Sequence, residues 1–396
     1  MESSDDIFKL QLITLFDSLS FGLIYAFLPP YMIVLGGDNV TCGILAVTTL
    51  LAQLLSADIV RDLVNFQGRK AALYSILNVA GVCHALLFVT NSIWFTIFAR
   101  CIFAATNQTS SILKTMILKR TPADDIQFQL MTFHIITSAG YLIGPIVAGC
   151  LFDVSFAISC FLAAFLTIVS IGILTFVKDI DDGPVEGSDL AVFQRAAQTV
   201  KSSVAEFNNS SYETNWDVMT IKYCFSASTS IFFSKFTQIL KHNYESDSVA
   251  IGYTTSYMNA LMFIGIYCSE RLKKKLTNIP PNLLLNYSFA VLLISSLLAC
   301  YSPAYVLYAL LCIPVVLSRT LIFDLWEDIL TERNNNDLKK TNESISVGAG
   351  LTVPIMFGVV CNQIGHHAVV LFSVLPLVAS LVIINRQMSS KVTKTE

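Results

Sequence analysis

Long apolar runs alternate with short polar breaks along almost the whole chain. A membrane-spanning helix needs about 20 consecutive, mostly apolar residues. Runs of that kind fall at 9–35, 40–60, 70–90, 93–118, 127–151, 156–177, 217–240, 248–268, 282–300, 304–323, 345–362 and 367–385. They predict an all-α membrane protein with twelve transmembrane helices. The longest polar stretch, Lys178 to Trp216, divides the runs six and six, with Gly183-Pro184 as a turn signal. Within it Val192, Ala196, Val200 and Val204 recur at helical spacing and predict a short amphipathic helix. The expected organisation is a six-helix bundle over 1–177, a cytoplasmic linker over 178–216 and a second six-helix bundle over 217–396.

Composition agrees with that pattern. Of 396 residues 54% are hydrophobic and 13% charged, where soluble domains carry about 25% charged residues, and mean hydropathy is +0.64. A soluble core cannot absorb so much apolar surface, so a lipid bilayer is the expected surrounding. The net charge of -3 points to no nucleic-acid partner, because charge here is sorted by side. Breaks after the second, fourth, eighth and tenth runs carry Arg61, Arg69 and Lys70; Lys119 and Arg120; Arg271, Lys273, Lys274 and Lys275; and Arg333, Lys339 and Lys340. The intervening breaks carry few cations, Lys241 and His242 being the exception. Positive charge stays cytoplasmic, which places both termini inside. The first run has no basic n-region or small-residue cleavage site and reads as a retained helix. The ten cysteines show no C-x-x-C spacing and behave as small hydrophobes. Of the N-x-[ST] acceptors, at Asn39, Asn107, Asn208, Asn209, Asn286 and Asn342, only Asn39 falls on the expected outer side, close to the membrane.

Small residues and a proline interrupt the fifth run at Gly140-Tyr-Leu-Ile-Gly144-Pro145-Ile-Val-Ala-Gly149. Glycine lets two helix backbones approach closely in lipid, and proline removes a donor that neighbours must compensate. The stretch reads as a packed hinge. The eleventh run repeats its form, with Ala349 five positions before Pro354 and Gly358 four after it. Basic loops also recur after the second run, Asn65-Phe66-Gln67-Gly68-Arg69-Lys70, and after the eighth, Glu270 to Lys275. Two echoes at matching helix numbers argue for internal duplication.

The fifth-run pattern resembles the G-x-x-x-G-P-x-x-G-G signature of drug:proton antiporters in the major facilitator superfamily, with Ala148 replacing one glycine. The first run, with Asp17, Gly22 and Leu28-Pro29, is similar to the opening helix of the tetracycline:proton antiporters, Ala26 standing where they have proline. The resemblance covers essentially the whole chain and implies a twelve-helix transporter. The loop after the second run departs from the family's G-x-x-x-D-[RK]-x-G-[RK]-[RK]: Gly68, Arg69 and Lys70 match, but Arg61 replaces glycine, Asn65 the acid and Phe66 a base. In the family that acid helps latch the two halves. Asp62, one helical turn away, is the available substitute.

Ionisable groups inside spanning helices cost about 2.5–3.5 kcal/mol each, so each needs a cavity or a partner. Asp17 shares a helical face with Thr14, Phe21 and Tyr25. The resemblance implies a proton-coupling role for it; a fixed ion pair or a water-reached carboxylate is the alternative. Arg100, Ala104, Asn107, Ser111 and Lys114 recur at spacings of three or four and form a polar stripe on the fourth run. Arg100 matches the antiporters' fourth-helix arginine and would attract an anion or bias a nearby carboxylate, whereas Lys114 can snorkel to the cytoplasmic end. Lys235 and Arg319 are the second-half counterparts, with Ser226, Ser228 and Ser230 adding hydroxyls; a structural role is favoured for both cations, Arg319 pairing with Asp324 or Glu327. His134 reads as a packing residue, and His366 and His367 as a poor metal site. No phosphate-cradling loop, zinc spacing or nucleophile elbow occurs, so no enzyme activity, cofactor or metal is expected.

The expectation is therefore a secondary transporter, acting as a monomer, that moves a small organic solute by alternating access with proton antiport. An uncoupled facilitator, or a transporter-shaped sensor or scaffold, is the alternative that the altered loop motivates.

Overall fold

The computed structural model describes residues 2–179, 212–276, 279–332, 336–365 and 367–392. Among them lie fourteen α-helices and no strand. They are α1 Glu2–Tyr25, α2 Leu28–Val34, α3 Asn39–Gln67, α4 Arg69–Val89, α5 Ile93–Thr106, α6 Thr109–Arg120, α7 Ile126–Phe152, α8 Phe156–Thr175, α9 Tyr212–Tyr244, α10 Ser248–Lys275, α11 Pro281–Cys300, α12 Tyr305–Glu332, α13 Asn336–Ile364 and α14 His367–Val392. The expected linker helix at 190–207 lies outside the described residues.

Ten of the expected spans coincide with one helix each; the first and fourth are broken in two. The first breaks at Ala26-Phe27, because Pro29 and Pro30 open α2 and cannot donate to the last turn of α1. The fourth breaks without a proline. Asn107 has φ -74 and ψ 64 and Gln108 donates to the Thr106 carbonyl at 2.7 Å, an inverse γ-turn. Among the described residues nine stretches are long and apolar enough to cross a membrane. The other three expected spans miss that mark for separate reasons. The fourth is split, the seventh carries Asp217, Lys222, Lys235 and Lys241 along α9, and the apolar described part of the twelfth is only Phe372–Arg386.

The chain forms two compact units. Unit 1 gathers described residues of Met1–Gly37, Thr48–Lys201 and Ser248–Ser256; unit 2 gathers those of Asp38–Val47, Ser202–Asp247 and Tyr257–Glu396. The start of α3 thus belongs to unit 2 and most of its length to unit 1, and α10 is divided the opposite way.

Within unit 1, α8 shows how lipid sorts the side chains. Its buried face carries Ser159, Cys160, Ala163, Ala164, Thr167 and Ser170, while Ile158, Phe161, Phe165 and Ile168 are exposed. Lipid tails are as apolar as phenylalanine, so helix association rests on small residues that pack closely. The inward hydroxyls are satisfied locally, Thr167 donating to the Ala163 carbonyl and Ser170 to that of Leu166. One apolar core gathers Ile7, Leu10 and Ile13 of α1 with Leu73, Ile76 and Leu77 of α4 and Leu113, Met116 and Ile117 of α6. At one end of this core, buried Asp6 lies 3.8 Å from Arg120 Nε and accepts from the Lys178 backbone N–H at 3.4 Å. The start of α1 is thereby tied to the ends of α6 and α8.

In unit 2, α11 repeats the sorting: Ser288, Phe289, Leu292, Ser295 and Ser296 are buried, and Tyr287, Val291, Ile294 and Leu298 are exposed.

Candidate transport site

The glycines of α7 face α1 on one side. A methyl added at Gly140 would run into the Ser18 side chain and the Leu19 backbone, and one at Gly144 would sit 2.7 Å from Gly22 Cα. No residue with a β-carbon fits there unless the helices part. The next position around the helix faces α10. A Cβ on Gly149 would meet Ser248 O at 2.7 Å and Gly252 Cα at 3.2 Å, and one on Gly252 would strike the Pro145 carbonyl. Pro145 cannot donate to the Tyr141 carbonyl, and the Ser256 hydroxyl donates to the adjacent Leu142 carbonyl. Ala148, which stands for a glycine in the antiporter pattern, is fully buried.

Unit 2 holds the counterpart. A Cβ on Gly43 of α3 would lie 2.5 Å from the Pro354 carbonyl oxygen of α13, and one on Gly358 would lie 2.6 Å from Asn39 O. In both units a proline carbonyl meets a glycine on the neighbouring helix, and the glycine four residues after the proline meets that helix's first turn. Side chains add a polar clasp in unit 2. Asn362 Nδ2 donates to Asp38 at 2.6 Å, Asn39 Nδ2 donates to Asn362 at 3.0 Å, and Asp38 caps α3 by accepting from the Thr41 N–H at 2.8 Å. That last bond, chiefly, holds the Asp38 carboxyl below the usual carboxylate range. Asn39, the N-x-[ST] acceptor expected on the outer side, is thus engaged in packing.

The ionisable groups of unit 1 gather around Phe21. Asp17, one turn before it on α1, is half-buried and makes no hydrogen bond or ion pair among the described residues. Phe21 stacks on exposed Tyr25 at 5.1 Å and meets Tyr141 edge-on at 5.6 Å. Tyr141 stands beside Gly140 and within electrostatic reach of Asp17 and Tyr25, so the α7 glycines bring its ring against the acid's helix. Arg100 of α5 is only 6% exposed. Its guanidinium lies 4.9 Å from the Phe103 ring and 6.0 Å from that of Phe21, and Nε has no hydrogen-bond partner.

The other sequence-predicted residues are distributed more widely. Because the fourth span turns at Asn107, the stripe from Arg100 to Lys114 is not one helical face: Arg100 and Ala104 are buried on α5, Asn107 and Lys114 are half-buried, and Ser111 is exposed. The expected loop after the second span is helical except at Gly68: Asp62 and Asn65 lie on the last turns of α3, and Arg69 and Lys70 open α4. Asn65 is exposed while Asp62, Arg69 and Lys70 are half-buried. Lys70 lies 3.6 Å from Asp179. Gly68, at φ 82 and ψ 161, is the residue before α4, a conformation that favours glycine.

His134 is exposed rather than packed inside. Its neighbour Phe133 fills the core position instead, with the two rings edge to face at 5.7 Å. In unit 2 Arg319 sits 4.4 Å over the Phe233 ring and 3.1 Å from Met262 Sδ, while Asp324 accepts from Ser269. The Lys235 and His367 side chains and all of His366 lie outside the described residues. Two groups were missed by the sequence reading. His84 of α4 is 2% exposed, with Nε2 unpartnered and Nδ1 3.3 Å from Thr167 Oγ1. Lys222 of α9 is 5% exposed and lies 5.2 Å over the Phe323 ring. Both stand inside apolar runs, which was the available signal.

Spanning helices sorted by lipid, glycine–proline contacts repeated in two units, and charges held within the apolar helices define a polytopic membrane protein of the transporter type. The sequence pattern of the Major Facilitator Superfamily matches residues 10–384, and the chain belongs to that family. Its fold is the twelve-helix major facilitator fold. The crystal structure of the nucleoside transporter NupG is similar over 97% of this chain and 98% of that one, at 13% identity and TM-score 0.74. A bacterial homolog of the human lysosomal transporter Spinster is similar over 97% and 95%, at 10% identity and TM-score 0.72. The human organic anion transporter MFSD10 (TETRAN) is similar over 96% and 99%, at 12% identity and TM-score 0.62. At such identities the likeness is one of fold. No curated protein sequence matches significantly.

Proposed function

We propose that this protein is a proton-coupled secondary transporter of a small organic solute, working by alternating access as an antiporter. The observation that carries the reading is the pair Asp17 and Arg100. Both are ionisable, both lie in apolar helices of one unit, and no ion pair joins either to another described residue. A purely structural helix bundle has no use for such groups, each costing about 2.5–3.5 kcal/mol to insert.

In this reading Asp17 exchanges the proton, Arg100 and Tyr25 face the solute, and Asn107, Ser111 and Lys114 line its exit. Asp62, Asn65, Gly68, Arg69 and Lys70 form the cytoplasmic gate loop. The two bundles, 1–177 and 217–396, rock about the site, with 178–216 as the cytoplasmic linker and both termini inside. The Gly149–Gly252 and Gly358–Asn39 approaches open in the alternate state. Proton and solute must bind the two states unequally, since a ligand with equal affinity for both shifts nothing. The drug:proton antiporter subtype, and a likeness to the tetracycline-transporter-like major facilitator superfamily domain-containing protein 9, rest on the motifs of α1 and α7.

Flux in vesicles reconstituted with the purified chain tests the proposal. A pH gradient should drive solute accumulation, and Asp17→Asn should leave only equilibration. Accumulation indifferent to both would remove proton antiport.

A further inference from the structure

Among the described residues Arg100 has no counter-charge. The groups within its electrostatic reach are Tyr25, Cys83, Cys101, Cys160 and His84, and none is a carboxylate. A guanidinium presents five N–H donors and no acceptor; here two phenyl rings face it and Nε–H meets nothing. Cation–π contact offsets about 0.5–2 kcal/mol but leaves those hydrogens unmet. An oxyanion is what such a fork binds most strongly.

His84 refines the chemistry. Its ring lies tilted against Phe103 at 5.1 Å, the same ring that Arg100 overlies. His84 also donates to the Ala163 carbonyl, and since Nε2 has no partner the donor is Nδ1, which lies 3.3 Å from Thr167 Oγ1. The neutral imidazole then carries its hydrogen on Nδ1 and presents a bare lone pair at Nε2, which is buried without a donor. One unmet donor and one unmet acceptor thus flank a single aromatic ring. The Phe21–Tyr25 stack is also near Arg100, whose guanidinium lies 6.0 Å from the Phe21 ring, and Tyr25 is 62% exposed.

We propose that Arg100 and His84 form a binding site for a small aromatic carboxylate bearing a hydroxyl or similar hydrogen-bond donor. The carboxylate accepts from Arg100, the donor reaches His84 Nε2, and the flat body stacks with Phe21 and Tyr25. This rests on the transport reading for its purpose, since it names the class of solute carried, but its test is separate.

The test is thermal unfolding of the full chain in detergent with 4-hydroxybenzoate, benzoate and 4-hydroxybenzamide as probes. The hydroxy acid should stabilise the wild type, benzoate should bind about tenfold more weakly for want of one buried hydrogen bond, and the neutral amide should not stabilise. Arg100→Gln should lose the response to both acids, Arg100→Lys should keep it within tenfold, and His84→Phe should erase the preference for the hydroxyl. If Arg100→Gln fails to fold, the acid-over-amide preference and Arg100→Lys still decide. Equal stabilisation by amide and acid, or no acid response in wild type, overturns the site. Acid binding without vesicle flux leaves the site standing and removes transport; proton-driven flux of a neutral solute untouched by Arg100→Gln does the reverse.

Discussion

Replacing Gly144 with alanine tests whether α1 and α7 are held by backbone contact. The added Cβ would lie 2.7 Å from Gly22 Cα and carbonyl carbon and 3.0 Å from Leu23 N. Ordinary contact begins at 3.4 Å, so the helices must separate by about 0.7 Å. No flexible side chain stands in the way to yield. Overpacking of this kind costs about 1–3 kcal/mol, and with only backbone atoms to move the upper half of that range applies. Alanine's better helix propensity returns about 1 kcal/mol, leaving a net loss of about 1–2 kcal/mol and an unfolding midpoint lowered by about 1–3 °C.

The control is Gly172→Ala in α8, where nothing lies within 4 Å. There only the propensity gain operates, and stability should hold or rise. Gly22→Ala, whose contacts begin at 3.1 Å, should fall between the two, and Gly140→Ala should be worst. The assay is thermal unfolding in detergent, all variants side by side. If Gly144→Ala proves as stable as Gly172→Ala, close glycine packing does not hold this helix pair.

Other consequences are as direct. Asp38→Ala removes the α3 cap and the Asn362 acceptor, and should cost about 1 kcal/mol at neutral pH. Because the folded carboxyl is held low, the charged form's contribution is present above the unfolded value of about 3.9 and lost as pH falls through the folded one. The unfolding gap between wild type and Asp38→Asn should therefore begin to shrink below about pH 4 and close as pH falls through the lower folded value. Gly68→Ala meets no atom within 4 Å yet sits at φ +82, so its cost is conformational alone, about 1–3 kcal/mol; an unchanged midpoint would show that the junction relaxes. Gly43→Ala, whose Cβ would press on the Pro354 carbonyl, should destabilise as Gly144→Ala does.

The membrane spans were legible because lipid demands long apolar runs whatever the helices pack against. The glycine–proline run was legible as a packing site, since only close backbone approach explains glycines at that spacing in lipid. Its partners were not. Ser18 and Gly22 are remote in the chain, and their fit against Gly140 and Gly144 is a property of two helices together. The turn at Asn107 was hidden for a different reason. No proline or glycine marks it, and Thr106, Asn107 and Gln108 are each tolerated in a helix. The polar stripe was accordingly read through a break that rotates its lower half away. Arg100 was found by its charge, but its isolation emerges only from which groups the fold leaves near it.

Duplication accounts for the scaffold and not for the chemistry. The same number of positions separates Gly43 from Gly252, Pro145 from Pro354 and Gly149 from Gly358, and in each unit these residues make the same proline–glycine contact. Counting the same distance on from Asp17 and Arg100 reaches Ser226 and Ala309, so the groups proposed to couple and to bind have no repeat. Unit 2 places its buried cation elsewhere, Lys222 over Phe323. The contacts kept in duplicate are backbone contacts that any alternating motion of two repeats must make and break in pairs. The groups kept singly are those that a single solute and a single proton need. A transporter that binds in one half while moving with both is the division of labour this pattern supports, and a charge introduced at Ala309 should restore nothing in an Arg100→Gln chain.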